Sequence, residues 1–501
     1  MIRPHLRNVL IAIAAMVAAM VALAAGLSLL DLTRAGIGIG HLGALDINEA
    51  RHLNNAIARN LNQLLAVVFT MVAIAVPLTA NMYSVKFLDF FIKDPVNAGV
   101  LGLVVFADLE NTWTAYLLRD GFIPTAELNI GLVLVVVCFA TLLPYLYYVF
   151  RFLHPNTLLQ SLEHQIEDAL SSALRHPAQL ARDRARVAEG LEHIANVAIR
   201  SMDRSDRSTA IESVATLERL ARTYWGLKER MPAAWFQAEQ HLFLGFSSGA
   251  VEEFSASRSW VEMKLFTQFR LIMGVAVPRT HDLASSVAKT LRRLGLEPLA
   301  SEDQTLREIV TEFFNTFVRM TLVARDPRSA FTVFDQYRLL AEALNDKYPA
   351  LVLEIAFYFA YYGKIAREAH VDFVVEAVAH DLATLVRHAW QTEAPNRQKL
   401  LDRFLQYDGE AGPPLAGVKK AQAILASYFL LAGQTEPARL IKENFVGLPP
   451  QLVETLRDDL LHVRREKYWE VNERRMNMDY VAPEQREILR RFLSELPPLQ
   501  A

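Results

Sequence analysis

The hydrophobic positions of this chain form long runs with few charges in its first third and helical stripes thereafter. A helix needs about 20 apolar residues to cross the hydrocarbon core of a bilayer. Four segments reach that length: residues 9–30, 61–83, 96–118 and 128–150. We predict that residues 1–155 form a transmembrane bundle of four helical spans, with the lipid bilayer as partner.

The first segment has a second interpretation. Arg3 and Arg7 precede it, and Ala22-Leu23-Ala24 fits the small-x-small site at which signal peptides are cleaved. We favour an uncleaved span, because the apolar run continues past that site and further spans follow.

The third segment is marginal as an independent span. Its ten Val, Leu and Phe residues favour insertion by roughly 3–6 kcal/mol in total. Asp108 and Glu110 at its centre oppose insertion by about 5–7 kcal/mol together. We therefore expect this helix to insert only beside protein neighbours, beside a water-lined cavity or after protonation.

The candidate ion-path residues are Asp108, Glu110 and Asn111. Residues two positions apart on a helix are separated by about 200° around its axis, so the two carboxylates cannot share one face. Acids inside a membrane commonly serve as cation sites or proton relays. The alternative is that the helix ends near Ala107 and the acids lie in a loop or at the interface.

Basic residues in short loops set the orientation of membrane spans. With four spans, Arg3, Arg7, Lys86 and Lys93 lie on the side of both termini, which favours the cytoplasm for that side. We predict a multi-pass protein of the bacterial inner membrane with a cytoplasmic C-terminal region. If residues 96–118 do not cross, that region moves to the other side.

From about residue 156 the pattern becomes charged and helical. Residues 158–174 carry a stripe of apolar positions at helical spacing. Similar stripes predict helices up to residue 495, one of them over 232–254, and strand-like alternation is scarce. We predict an all-α fold whose mostly helical soluble region resembles a solenoid or a bundle.

Proline-rich breaks divide this region. The best breakpoints are Pro278, the Gly-Pro-Pro at 412–414 and Pro449-Pro450. The first two suggest three parts, which are residues 156–277, 278–411 and 412–501. Within the last part, residues 419–445 are similar to a helix–turn–helix repeat unit.

Composition and motifs exclude several functions. The net charge of −3 argues against a nucleic-acid partner. With one cysteine, Cys138, no intrachain disulfide can form. The sequence contains no HExxH, GxSxG or Walker-type loop, so we expect neither an enzyme nor a cofactor.

Two weaker clusters remain. The loop residues Arg200, Asp203 and Asp206 suggest either a salt-bridged turn with a helix cap or a functional loop. Asp372, Glu376 and His380 recur every fourth residue, so they follow one side of a helix. They could bind a metal, although a solvated polar face beside an apolar stripe explains them as well.

Part of the chain resembles a bacterial family of predicted membrane proteins of unknown function. The resemblance covers about residues 45–225. Its first motif comprises Ser84, Lys86, Leu88, Phe91 and Lys93-Asp94, and its second comprises Arg200 and Thr209-Ala210. The loop between Asp203 and Ser208 departs from the family pattern. The resemblance implies four N-terminal membrane helices and a cytoplasmic C-terminal region, and it brings no activity.

Two functions fit these features. The unfavourable carboxylates suggest an ion-handling or channel-type homo-oligomer whose cytoplasmic helices assemble or gate it. The long helical region without catalytic motifs suggests instead a membrane-anchored scaffold that binds a protein partner.

Overall fold

The computed structural model describes residues 46–82, 94–152, 154–297, 303–410, 414–470 and 474–496. The regular structure of these residues is helical, apart from two isolated bridges, which confirms the all-α prediction. Contacts divide the chain into two compact units, Met1–Leu162 and Glu163–Ala501. The breaks predicted near Pro278 and at 412–414 fall inside the second unit.

The first unit contains three long helices: α1 (Ile47–Met82), α2 (Pro95–Leu117) and α3 (Thr125–Phe152). Each of them contacts the other two. Helix α4 (Pro155–Arg175) begins in this unit and continues into the second. The predicted spans 96–118 and 128–150 therefore coincide closely with α2 and α3, whereas residues 9–30 lie outside the described part.

Helix α1 begins 14 residues before the predicted span 61–83. The additional turns are amphipathic, since Ala50 and Ile57 are buried while Arg51 is exposed. An apolar run marks where a helix can enter lipid, but it does not mark where the helix starts.

The second unit contains fourteen helices in its described part. They are α5 (Leu180–Asp203), α6 (Arg207–Lys228), α7 (Ser248–Ala256), α8 (Trp260–Ala276), α9 (His281–Leu296), α10 (Gln304–Val323), α11 (Pro327–Leu344), α12 (Pro349–Glu368), α13 (Asp372–Gln391), α14 (Arg397–Glu410), α15 (Ala416–Leu431), α16 (Thr435–Glu443), α17 (Pro450–His462) and α18 (Pro483–Ser494).

Local signals set many helix starts. Asp94, Asp206, Asp303 and Asp326 each accept a hydrogen bond from a backbone N–H in the first turn of the helix that follows. Such caps satisfy donors that have no partner inside the helix. These short-range contacts explain why stripe and cap patterns locate the helices well.

One predicted helix is wrong. Residues 232–254 form two short 3-10 turns, Ala233–Phe236 and Gln240–Leu242, before α7 begins. Gly245 adopts a φ of +92° between these turns and α7, a conformation that interrupts a right-handed helix. Trp235 and Phe236 are buried by this irregular path, so tertiary packing overrides the local stripe.

Helix packing in the second unit follows chain order. From α8 to α13, every helix contacts the next helix and the one after it. Aromatic pairs fill the layers between them, as in the stacked rings of Phe314 and Tyr337 at 4.6 Å. This order brings the N-terminal ends of α11, α13 and α15 close together.

Candidate functional site

Two described helices are long and apolar enough to cross a membrane: Ile47–Ile74 within α1 and Thr125–Arg151 within α3. Many large apolar side chains of the first unit are exposed, which is typical of surfaces that contact lipid or protein. Those on α2 are Val105, Phe106, Leu109, Trp113 and Tyr116.

Helix α2 has the opposite polarity to a helix of a water-soluble protein. Its buried side consists of Asn97, Val104, Ala107, Asn111 and Thr114. Its exposed side is the apolar set that includes Trp113 and Tyr116. Asn97, Asn111 and Thr114 thus face the other helices beside Val104 and Ala107, while the large apolar side chains of α2 face outwards.

Both ends of α2 are tied to the ends of the other two helices. The Tyr148 hydroxyl near the end of α3 hydrogen-bonds to Asp94, which precedes α2. Arg51 near the start of α1 forms a 2.9 Å salt bridge with Asp120, which follows α2. These contacts place one end of α2 beside the end of α3 and the other beside the start of α1.

Glu110 lies between the three helices. Its Oε1 accepts a 3.1 Å hydrogen bond from the Thr114 hydroxyl. Its Oε2 is buried without a hydrogen-bond partner among the described residues. That oxygen lies 3.2 Å from the position that a β-carbon on Gly131 of α3 would occupy, and the same position is 3.6 Å from Ile57 Cδ1 of α1.

Two amide oxygens show the same property. Asn54 Oδ1 and Asn111 Oδ1 are buried, and neither has a hydrogen-bond partner in the described part of the chain. Asn54 lies one turn before Ile57, and Asn111 follows Glu110, so these groups lie at similar depth in the bundle. We call Asn54, Glu110, Asn111 and Thr114 the polar layer. Asp108 is half-buried and lies outside it.

The loop candidates form a paired turn. Asp206 caps α6 by accepting a 3.1 Å hydrogen bond from the Thr209 N–H. Asp203 forms an ion pair with Arg279, and Ser205 takes a φ of +61° at the turn. Arg200 is half-buried on the last turn of α5. The turn is thus held by the Asp206 cap and by an ion pair to Arg279, a residue outside the loop.

The second unit contains a cleft of about 1120 Å³. It lies between the N-terminal ends of α11, α13 and α15, the end of α17, and described residues between 463 and 479 that follow α17. We call it the C-terminal cleft. Its lining includes Phe331, Glu376, His380, Lys420, Trp469 and Asp479.

Glu376 and His380 line this cleft side by side. Glu376 Oε1 accepts a 3.1 Å hydrogen bond from the Gly417 N–H, and burial raises the pKa of this carboxyl. His380 Nε2 lies 3.6 Å from Asp479 Oδ1. Burial lowers the pKa of the His380 imidazole, and the Asp479 charge opposes that effect.

Asp372 does not join them. It pairs with Arg367 at 3.3 Å, and its side chain is 59% exposed. Among the described residues, no group of three or more His, Cys, Asp or Glu side chains could hold a metal ion. The spacing of Asp372, Glu376 and His380 correctly places two of them together, but not as a set of metal ligands.

The described residues between α17 and α18, 463–470 and 474–482, supply contacts that the sequence did not suggest. Arg474 makes hydrogen bonds of 2.6 and 2.9 Å to Asp381 of α13. It also donates to the Phe331 carbonyl at 2.8 Å, and its guanidinium lies 3.8 Å above the Phe331 ring. Tyr468 and Trp469 stack at 4.1 Å nearby. No local pattern identifies Asp381 and Phe331 as the partners of Arg474, because they are distant from it in the chain.

The comparisons with known proteins concern the N-terminal part. No curated protein and no solved structure matches the chain. Ser84, Lys86, Leu88, Phe91 and Lys93 of the first motif lie outside the described residues. The second motif, at residues 196–220, lies beyond the matched segment. Residues 7–189 match the model of a family described as "Predicted membrane protein (DUF2254)", which confirms the resemblance to a membrane-protein family of unknown function.

Proposed function

We propose that this protein is a bacterial inner-membrane protein with four spans that handles ions as a homo-oligomer, with its helical region in the cytoplasm. The inverted polarity of α2 carries the proposal. A helix that turns Trp113 and Tyr116 outwards and Asn111 and Thr114 inwards is suited to lipid outside and polar groups inside.

The chemistry of the polar layer favours a cation or a proton. A carboxylate in a membrane interior is costly unless it is protonated or paired with a cation. The buried oxygens of Asn54, Glu110 and Asn111 are hard acceptors of the kind that bind alkali and alkaline-earth cations. Thr114 orients the carboxylate through its hydroxyl.

The packing of the first unit favours an oligomer. An apolar cluster that includes Ile57, Leu61, Val104 and Ala107 fills the described space between α1, α2 and α3. An ion that reaches the Glu110 carboxylate of the polar layer therefore enters more readily between protomers, or beside the first predicted span, than along the axis of these three helices. We assign the chain no catalytic activity.

Flux measurements test this proposal. The full chain is reconstituted into liposomes, and potassium, sodium and proton flux are compared with those of Glu110→Gln and of Glu49→Gln, an exposed acid at the start of α1. We expect flux in the wild type and in Glu49→Gln, with a reduction of about tenfold or more in Glu110→Gln because the charge of the polar layer is lost. Flux equal to that of empty liposomes would refute ion handling.

A second function is favoured by the C-terminal cleft. Its volume of about 1120 Å³ exceeds that of most small-molecule pockets, and Trp469 at its edge is 73% exposed. Exposed aromatic side chains at the edge of a cleft commonly bind a partner. In this alternative the helical region is a scaffold that docks a protein segment there.

Paired capture experiments test the scaffold. The tagged full chain and its Trp469→Ala variant are captured from crosslinked cells, with Trp390→Phe as the matched tryptophan control. The scaffold function predicts a protein that crosslinks to the wild type and to Trp390→Phe but not to Trp469→Ala. Identical profiles for all three would argue against docking in this cleft.

A further inference from the structure

The junction of α3 and α4 contains a separate pocket of about 480 Å³. It lies in the first unit, at the end of the helix with the higher hydropathy of the two candidate spans. Its lining residues are Tyr147, Phe150, Arg151, His154, Asn156, Thr157 and Gln160. We call it the junction pocket.

The pocket is cationic and rich in hydrogen-bond donors. Its lining, as far as the structure describes it, contains Arg151 and His154 and no acidic side chain. Arg151 is exposed, so its guanidinium fork is accessible to an anion. Such a fork suits the oxygens of a phosphate group.

Backbone contacts fix the turn that presents these two side chains. The Arg151 carbonyl accepts hydrogen bonds from the His154 N–H at 3.2 Å and from the Thr157 hydroxyl at 3.0 Å. His154 Nδ1 accepts from the Asn156 N–H at 3.3 Å. In the neutral ring the proton therefore lies on Nε2, which remains a donor towards the pocket.

An apolar stripe runs along α3 into the pocket. Leu143, Tyr147 and Phe150 follow one another at helical spacing, and they are 71%, 60% and 66% exposed. These side chains lie within or beside the span Thr125–Arg151. Aromatic side chains followed by a basic residue are typical of the level of lipid headgroups.

We propose that the junction pocket binds the headgroup of an anionic phospholipid. The phosphate lies against Arg151 and His154, with the Asn156 and Gln160 amides beside it. One acyl chain follows the stripe of Leu143, Tyr147 and Phe150. The combination of an apolar track and a cationic end distinguishes a lipid from a free phosphate ion, which needs only the second.

Native mass spectrometry tests this site. The full chain in mild detergent is titrated with dioctanoyl phosphatidylglycerol, with dioctanoyl phosphatidylcholine, or with inorganic phosphate as competitor. We expect bound phosphatidylglycerol, much weaker binding of phosphatidylcholine, and little competition by phosphate. Arg151→Gln is expected to weaken phosphatidylglycerol binding about tenfold, the typical effect of losing one charge-assisted phosphate contact. Arg151→Lys is expected to recover part of it.

Arg119→Gln is the matched control. Arg119 lies just after α2, with its guanidinium 5.4 Å from the Tyr116 ring centroid. The Arg119→Gln substitution therefore removes the same charge beside a similar aromatic side chain. Equal losses in Arg119→Gln and Arg151→Gln would overturn the site, as would equal binding of the two lipids. Full competition by inorganic phosphate would also overturn the proposal, because the pocket would then bind a soluble anion and not a lipid. A melting temperature equal to that of the wild type excludes misfolding as the cause of a loss.

Discussion

Arg51 and Asp120 join the start of α1 to the turn after α2, with 2.9 Å between Nη2 and Oδ1. Both side chains are exposed, so the pair adds little stability. Its meaning is geometric, because it places the two ends at one level of the bundle. Together with the contact between Asp94 and Tyr148 at the other end, it shows that α2 runs from the end of α3 back to the start of α1.

The Arg474–Asp381 contact predicts a large effect of Asp381→Asn on stability. The side chains of Asp381 and Arg474 are 2% and 7% exposed, and Asp381 also accepts from Arg338 at 3.1 Å. Removing one charge of a buried pair costs up to roughly 3–5 kcal/mol, and Asp335, whose Oδ1 lies 3.5 Å from Arg474 Nε, offsets part of that cost. We expect a melting temperature several degrees below that of the wild type, measured by thermal unfolding of the full chain in detergent.

Glu454→Gln is the control for that experiment. Glu454 pairs with Arg457 at 3.7 Å on the surface of α17, with a side chain that is 70% exposed. Its variant is expected to melt with the wild type. Equal melting of Asp381→Asn and the wild type would show that Arg474 does not fasten residues 474–482 to α13.

We predict that a side chain at position 417 would clash with Glu376. A β-carbon at position 417 would lie 2.2 Å from Glu376 Cδ, far inside contact distance, so Gly417→Ala must displace the glutamate and its hydrogen bond. We expect Gly417→Ala to cost about 1–3 kcal/mol, as overpacking does. The double variant with Glu376→Ala should recover most of the loss, because it removes the obstacle. Chemical unfolding measures these losses. If the loss of unfolding free energy in the double variant equals the sum of the two single losses, the steric explanation is wrong.

We predict that the His380 imidazole makes the protein less stable in mild acid. Its pKa is lowered from 6.5 in the folded protein by burial, so the unfolded chain takes up the proton first as the pH falls. The imidazole thus contributes stability that is present above about pH 6.5 and is lost below it, by at most about 1.4 kcal/mol per pH unit.

The comparison of His380→Asn with the wild type isolates this contribution. Glu376, Asp381, Asp479, Lys420 and Arg474 surround the ring, and they remain in both proteins. Chemical unfolding between pH 7.5 and 5.5 should show a smaller loss of stability in the variant. Parallel pH profiles would mean that His380 titrates as a solvated histidine.

Helices with local signals could be predicted from the sequence. The Asp94-Pro95 pair starts α2 through a side-chain cap and a proline in the first turn, and the predicted span 96–118 differs from α2 by one residue at each end. The stripe over 232–254 failed, because Gly245 and the burial of Trp235 interrupt it. Local periodicity does not contain such tertiary contacts.

The candidate sites were likewise predictable only in part. The conflict between the acids and the apolar run was visible in the sequence, but the sequence did not show that Glu110, and not Asp108, lies against Gly131 of α3. The cleft was visible only through Glu376 and His380. Arg474 reaches Asp381 across 93 positions, and no spacing rule relates residues so far apart.

Side-specific cysteine labelling shows whether α2 crosses the membrane with Glu110 inside. In a Cys138→Ser background, single cysteines replace Asn48 before the apolar part of α1, Asp120 after α2 and Asn156 after α3. An impermeant maleimide is applied to sealed vesicles of one orientation. The account predicts that positions 48 and 120 react from the same side and position 156 from the opposite side. Labelling of positions 48 and 120 from opposite sides would contradict it, since α2 would then not cross.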